Sequence, residues 1–439
     1  MNTRAVKNMC RALFQADNQQ KYLLYLTLYF VVMHLVPFVN VFIGNRIQPF
    51  VINDIIASVS VILALIYVSK GLFKHSIKLS ALDTCVLLYL VISIFSFVLY
   101  FQKSNPASII AYAYGMHYLV FPVLLYFSVK LMDGTLQLVL LKRICYLNLF
   151  FLIVGFILFY YRPEFYTNYL REAFELRGYE ELWQLYGRMQ SYLGSTGVGN
   201  VAWVTLLLMV IVGFSEFKRI VVLPIIIVAA LLSQQRTGIA GTAVATVYFM
   251  LAKGRLAYYR KIPIYVAGIG LIAGLMVVYQ NNQEKISGTM PLIEYTQNRI
   301  INEMIVSNPF EDREGYSKGW SVLVDHPLGL GVGANTSAAD HGGANPGGQV
   351  VDANYMRILT DLGGIGLAVF VMIIIFALRS AFRKDKRIAW ILIVILYSMQ
   401  AIWTNVFDSY YIVHIFWVTL GIIDTKQKKH SYLLEAGHL

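Results

Sequence analysis

The sequence predicts an all-α, polytopic membrane protein of about a dozen spanning helices, with one large loop on its outer side. Apolar residues make up 58% of the 439-residue chain, and the mean hydropathy is +0.61. A run of about 20 apolar residues crosses the roughly 30 Å hydrocarbon core of a bilayer, and such runs recur here at close intervals. The charge is also placed unevenly. Most of the 36 Lys and Arg residues fall in alternate connections, as they do in cytoplasmic loops.

The elements follow in order. The first run, Tyr22 to Ile43, is too long and too aromatic for a cleaved signal peptide, and no small-residue cleavage site follows it. Spanning helices are then expected near 21–43, 50–69, 82–101, 107–130, 139–161, 198–214, 219–233, 236–252, 262–279, 355–378, 388–407 and 409–424. Basic clusters mark the inner ends. They are Lys70, Lys74 and Lys78 after the second helix, Lys253, Arg255, Arg260 and Lys261 after the eighth, and Arg383, Lys384, Lys386 and Arg387 after the tenth. This asymmetry puts both termini in the cytoplasm. The net charge of +12 is therefore a topology signal, and nucleic acid is not expected as a partner. Cys10, Cys85 and Cys145 fall in the inner arm and in two membrane helices, so neither a disulfide framework nor a cysteine metal site is available.

On this reading residues 1–439 are one integral membrane domain with two long outer connections. Residues 162–197 carry Phe165, Tyr169, Leu170, Phe174, Leu182, Trp183 and Leu185 at roughly helical spacing among Glu and Arg. Such a helix either lies at the membrane interface or packs as a lid on the bundle. Residues 280–354 form the large loop, and a loop of that length is usually functional. Ile300 to Val306 can form a short helix, whereas GLGVGANTSAADHGGANPGGQVVDAN is expected to be irregular and mobile. No internal repeat of fixed period is visible, which disfavours an inverted-repeat transporter.

The chemistry is sought where ionisable groups gather at the outer end. The basic residues there are mostly arginine: Arg46, Arg162, Arg171, Arg177, Arg188, Arg236, Arg299, Arg313 and Arg357. A guanidinium binds phosphate or carboxylate through two parallel hydrogen bonds and stays charged when partly desolvated, so this bias points to an anionic ligand. Arg236 lies in SQQRTGIAG, the tight turn between two apolar helices, where the alternative is an arginine snorkelling to the headgroups. Arg188 precedes GSTGVGN, whose amides could approach an anion at a helix N-terminus, or simply begin the helix. Arg313 is followed by a helix and the Gly-rich turn HPLGLGVG, with pairing to Glu311, Asp312 or Glu314 as the alternative. Arg299 is a lesser candidate, and Arg162, Arg171 and Arg177 look like headgroup contacts.

His326, in DHP, reads as a helix C-terminal histidine or a catalytic one, and His341 beside Asp340 is a second catalytic candidate. Asp352 stands where helix 355–378 begins, as a cap or as a carboxylate that orients and deprotonates a hydroxyl. Asp361 is a further buried polar candidate in the same helix. No His/Glu helical spacing suggests zinc, and no Walker, nucleophile-elbow or dinucleotide motif is present, so neither metal nor cofactor is expected.

The order R…GSTGVGN, RTG, R…W…DHPLGLGVG, D(x)NYMRILTDLGGIGL, over roughly residues 185 to 370, resembles the O-antigen polymerase/ligase superfamily. The resemblance implies a fold like that of GT-C-type membrane glycosyltransferases, metal-independent and with a periplasmic active site, in a bacterial inner membrane. It implies a glycan donor on undecaprenyl pyrophosphate, with Arg188, Arg236 and Arg313 on the pyrophosphate. Ligases of the family have His-Asn where this chain reads Asp352-Ala353, and polymerising branches commonly have Asp, so the resemblance favours a polymerase of lipid-linked repeat units. A ligase to lipid A core and a lipid-linked sugar transporter or flippase are the alternatives. Expected partners are lipid-linked glycans, membrane lipids, a flippase and a chain-length regulator.

Overall fold

The computed structural model describes residues 3–43, 79–100, 112–113, 115–117, 119–130, 132–175, 188–192, 194–251, 314–334, 353–403 and 410–425. All of the regular structure there is helical, with no strand among the described residues. The helices are α1 (Thr3–Ile43), α2 (Ala81–Tyr100), α3 (Phe121–Lys130), α4 (Gly134–Tyr161), α5 (Glu164–Glu175), α6 (Gly194–Val212), α7 (Glu216–Ser233), α8 (Arg236–Leu251), α9 (Glu314–Asp325), α10 (Asn354–Ala381), α11 (Arg387–Trp403) and α12 (Tyr410–Asp424). Three stretches are long and apolar enough to cross a membrane: Gln19–Val39 within α1, Gly134–Tyr161 and Asn354–Ala381. The expected helices at 50–69 and 262–279 lie outside the described residues, as does the short helix expected at Ile300 to Val306.

The expected boundaries of α2, α4, α6, α7, α8, α10, α11 and α12 agree with the observed ones to within a few residues. Two expectations need correction. Helix α1 begins at Thr3, well before the apolar run, because the preceding Ala, Lys, Arg and Gln residues are good helix formers with no Gly or Pro among them. The helix expected at 107–130 is interrupted by a turn at Val120. Pro122, just beyond, has no N–H to continue the ladder.

The bundle has an apolar core and an apolar exterior. Trp203, Trp417, Tyr411, Phe416 and Phe370 are fully buried, yet Phe95 is 67% exposed and Ile94, Ile157 and Ile375 are each more than half exposed. Exposed apolar surface on this scale would be costly in water and is what lipid contact requires. Helix α6 runs through the centre, packed on α4, α7, α8 and α11. It meets α8 almost backbone to backbone, since a Cβ on Gly238 would lie 2.6 Å from the Gly199 Cα. Small residues permit this approach, on which helix association in lipid depends.

Hydrogen bonds sort the connections into two ends. At one, Lys386 Nζ donates to Ile211 O at 2.7 Å and Gln137 Nε2 to Thr425 Oγ1 at 2.9 Å. At the other, Met189 N donates to Leu232 O at 2.8 Å and Gln400 Nε2 to Thr237 O at 3.2 Å. The helices therefore alternate up and down, and the second end carries the described candidate residues.

Candidate functional site

Three segments build the second end. The first is the turn of residues 188–192, which carries Arg188. Met189 is tied to α7 through Leu232 O, Ser191 Oγ donates to Phe151 O at 3.2 Å, and Tyr166 OH donates to Ser191 O at 3.4 Å. The Tyr192 hydroxyl lies 2.8 Å from His34 Nδ1 of α1. The turn is thus pinned by α1, α4, α5 and α7, and Arg188 sits half-buried at its start. Pinning by α5 also bears on the choice between lid and interface. Tyr166 and Leu170 are buried and Phe165 and Tyr169 pack on the bundle core, so the apolar face of α5 is turned inward.

The second segment is the link between α7 and α8. Gln234 adopts a left-handed conformation (φ 51°), Gln235 N donates to Ser233 Oγ at 3.3 Å, and Arg236 opens α8 half-buried. The 188–192 turn is hydrogen-bonded to the end of α7, so Arg188 and Arg236 stand on adjoining turns. The GSTGVGN run lies inside α6 from its first residue, and Gly199 is used for contact with α8.

The third segment is the turn after α9. Helix α10 is broken at Gly363, whose φ of 69° and ψ of −172° are not helical. A break frees backbone carbonyls that must find other donors when no water is at hand. The chain after α9 provides them: Leu330 N donates to Thr360 O at 2.8 Å and Gly331 N to Asp361 O at 2.9 Å, while Gly364 N donates to Pro327 O at 3.2 Å. A side chain at Gly363 would collide with the Pro327 and Leu328 backbone. The remaining amides are used as well. Gly329 N donates to His326 O, Val332 N to Ser96 Oγ, Gly333 N to Asp361 Oδ2 and Ala334 N to Gly331 O. Every amide from Gly329 to Ala334 has a protein acceptor, so this glycine turn straps α9 to α10 and α2 and leaves no N–H to cradle a phosphate. It corrects the expectation of mobility for these residues: 329–334 are buried.

Asp361 is the anchor of the strap. It is fully buried, accepts from Gly333 N at 3.2 Å, and lies 3.8 Å from the Nε of Arg357, itself 1% exposed. The sequence marks Asp361 as a buried polar group without naming its partner. The signal was present in the i, i+4 spacing with Arg357, which stacks the two on one helical face.

Among the other candidates, His326 follows the last residue of α9, where its N–H donates to Val322 O at 2.7 Å; its side chain is exposed. Arg299, Arg313, His341 and Asp352 lie outside the described residues. Helices α9 and α10, which follow Arg313 and Asp352 in the chain, pack side by side. Helix α10 has Ala353 at its N-cap, so Asp352 stands one residue before the capping position.

The opposite end, where basic clusters are expected, also holds a buried ionic cluster that includes carboxylates. Lys130 of α3 lies 2.5 Å from Asp83 of α2 and also pairs with Asp424 of α12. The Tyr126 hydroxyl is 2.9 Å from a carboxylate oxygen of each, and Ser380 Oγ of α10 donates to Asp424 at 3.1 Å. Lys384, in the following turn, donates to Thr425 O, and burial holds its ammonium down to about 8 despite the nearby Asp424 and Asp385. These groups come from the ends of separate helices, and no local spacing announces them. A neutral polar set lies between the two ends: Tyr411 OH donates to Asn148 Oδ1 at 2.6 Å and Asn148 Nδ2 to Thr205 Oγ1 at 2.9 Å.

No protein-family model matches the chain, and no curated protein matches it.

Proposed function

We propose that this chain is a polysaccharide polymerase of the O-antigen type, transferring glycan from undecaprenyl pyrophosphate to a lipid-linked repeat unit at the periplasmic face of a bacterial inner membrane. The observation that carries the reading is the pair of half-buried arginines, Arg188 and Arg236, on adjoining turns at one end of an apolar bundle. Charged groups partly buried beside apolar helices are costly to hold and are functional-site candidates by default. A diphosphate leaving group needs positive charge in a poorly solvated place, and fixed guanidinium groups supply it without a metal.

In the reaction the acceptor hydroxyl attacks the anomeric carbon, a C–O bond forms, and the bond to pyrophosphate breaks. Undecaprenyl pyrophosphate leaves with the electron pair, its charge held by Arg188, Arg236 and Arg313. Asp352 takes the hydroxyl proton. The basic end of the bundle, with Lys384 and Lys386, faces the cytoplasm together with both termini.

Two measurements test this. Deletion in the native cell should leave single repeat units in place of a glycan ladder; a full ladder would refute the proposal. Polymerised chains stranded on undecaprenyl pyrophosphate would instead identify a ligase. Purified protein in detergent, given lipid-linked repeats and a chelator, should form glycosidic bonds. Failure to form any, with flipping of the same lipid in vesicles, would identify a transporter.

A further inference from the structure

Helix α9 presents three different sides. At about 3.6 residues per turn, Gly319 and Leu323 share one side, Trp320 and Val324 a second, and Ser321 and Asp325 a third. The first side meets α10: a Cβ on Gly319 would lie 3.0 Å from Met356 Sδ, and one on Gly364 would lie 3.7 Å from Leu323 Cδ1. The third side is polar and exposed. The second is apolar and open. Trp320 is 55% exposed, Val324 81%, and Leu328 in the turn beyond 53%.

This open sector continues onto a helix that is built to meet lipid. The Leu328 backbone abuts Gly363 of α10, and two residues later Ile365 is 56% exposed. From there Ala368, Met372 and Ile375 extend the exposed stripe at helical spacing down a 28-residue helix that is apolar enough to cross a membrane. At about 1.5 Å per residue that helix exceeds the roughly 30 Å hydrocarbon core by on the order of 10 Å. The surplus matches its polar outer part, with Arg357, Thr360 and Asp361, and the break at Gly363 falls where the unbroken apolar sequence starts. Leu328 and Ile365 are therefore placed at the hydrocarbon border.

We infer that α9 is seated in the membrane interface, with Trp320, Val324 and Leu328 covered by lipid acyl chains and Ser321 and Asp325 turned to headgroups and water. Tryptophan favours this boundary, and an exposed carboxylate one residue from Val324 keeps the helix from sinking further. Part of the segment that reads as an extramembrane loop thus returns to the bilayer surface, and its tip carries the strap at headgroup depth. The inference rests on the membrane reading alone and is independent of glycosyl transfer.

The test uses the full chain in phosphatidylethanolamine–phosphatidylglycerol vesicles, with Cys10→Ala and single spin labels at Val324→Cys, Ser321→Cys and, as a lipid-facing reference, Ile365→Cys. Cys85 and Cys145 are buried and stay in place. Oxygen partitions into hydrocarbon, whereas a neutral nickel chelate stays in water. The oxygen-to-nickel collision ratio at position 324 should be several-fold above that at 321 and close to that at 365. A ratio at 324 equal to that at 321 would put this side in water and overturn the inference. A label at 324 shielded from both reagents, or broadened by a second label nearby, would put another copy of the chain there and overturn it as well.

Discussion

Replacing Asp361 by Asn isolates the charge of the buried carboxylate from its shape. The amide oxygen can still accept from Gly333 N, now 3.2 Å from the carboxylate, but Arg357 loses an anion 3.8 Å from its Nε, with a side chain only 2% exposed. Removing one partner of a buried pair costs about 3–5 kcal/mol, because the other charge stays desolvated. The separation here is long for an ion pair, which argues for the lower figure, about 3 kcal/mol. Exchanging a charged acceptor for a neutral one at the Gly333 amide adds about 1 kcal/mol. The expected loss is therefore about 4 kcal/mol in unfolding free energy, read by denaturant titration in detergent micelles. Adding Arg357→Met removes the buried cation as well, so the double variant should recover most of that loss. An Asp361→Asn protein within about 0.5 kcal/mol of the parent, as for an ordinary surface change, would refute the reasoning. So would a double variant no more stable than the single one.

Four further outcomes are expected. Arg188→Lys and Arg236→Lys keep the charge but lose the planar fork, so each should lower polymerisation about 100-fold at normal expression, measured with purified protein. Asp352→Asn should abolish turnover while leaving the melting temperature unchanged, since Asp352 lies outside the capping position of α10. Gly238→Val places a Cβ 2.6 Å from the Gly199 Cα and should cost about 1–3 kcal/mol by prising α6 from α8, read by the same titration. Lys384 titrates at about 8 in the fold, below its ordinary 10.5, so the unfolded chain binds more protons between those values. Stability relative to Lys384→Met should thus be lowest below about pH 8 and rise toward pH 10.5.

Most helices were legible because lipid imposes length and apolarity on each span independently of its neighbours. Gly134–Tyr161 and Asn354–Ala381 each announce themselves with no knowledge of what they touch. The failures have local causes. In α1 the residues before Tyr22 are polar enough to look like a terminal arm, yet hydrogen-bond as helix from Thr3. The interruption at Val120 falls beside one missing N–H, that of Pro122, inside a stretch that reads as one span.

The Gly-rich turn shows why composition misleads about a site. Glycine, small residues and an adjacent histidine are compatible with a mobile anion-binding loop, and nothing in GLGVG itself says otherwise. What decides is the state of the partner helix. A glycine at position 363 with positive φ leaves the carbonyls of Thr360 and Asp361 unsatisfied by their own helix, and Leu330 and Gly331 supply the missing donors. Once those bonds form, the Asp361 carboxylate is enclosed, and it requires positive charge, which Arg357 supplies one turn away. The break, the strap and the ion pair are therefore one device, written in three stretches of sequence. The pair of turns bearing Arg188 and Arg236 is built differently. Both turns are held by backbone and hydroxyl groups of the surrounding helices. Such bracing fixes where the two cations stand before any ligand arrives, which is what charge stabilisation of the proposed diphosphate requires.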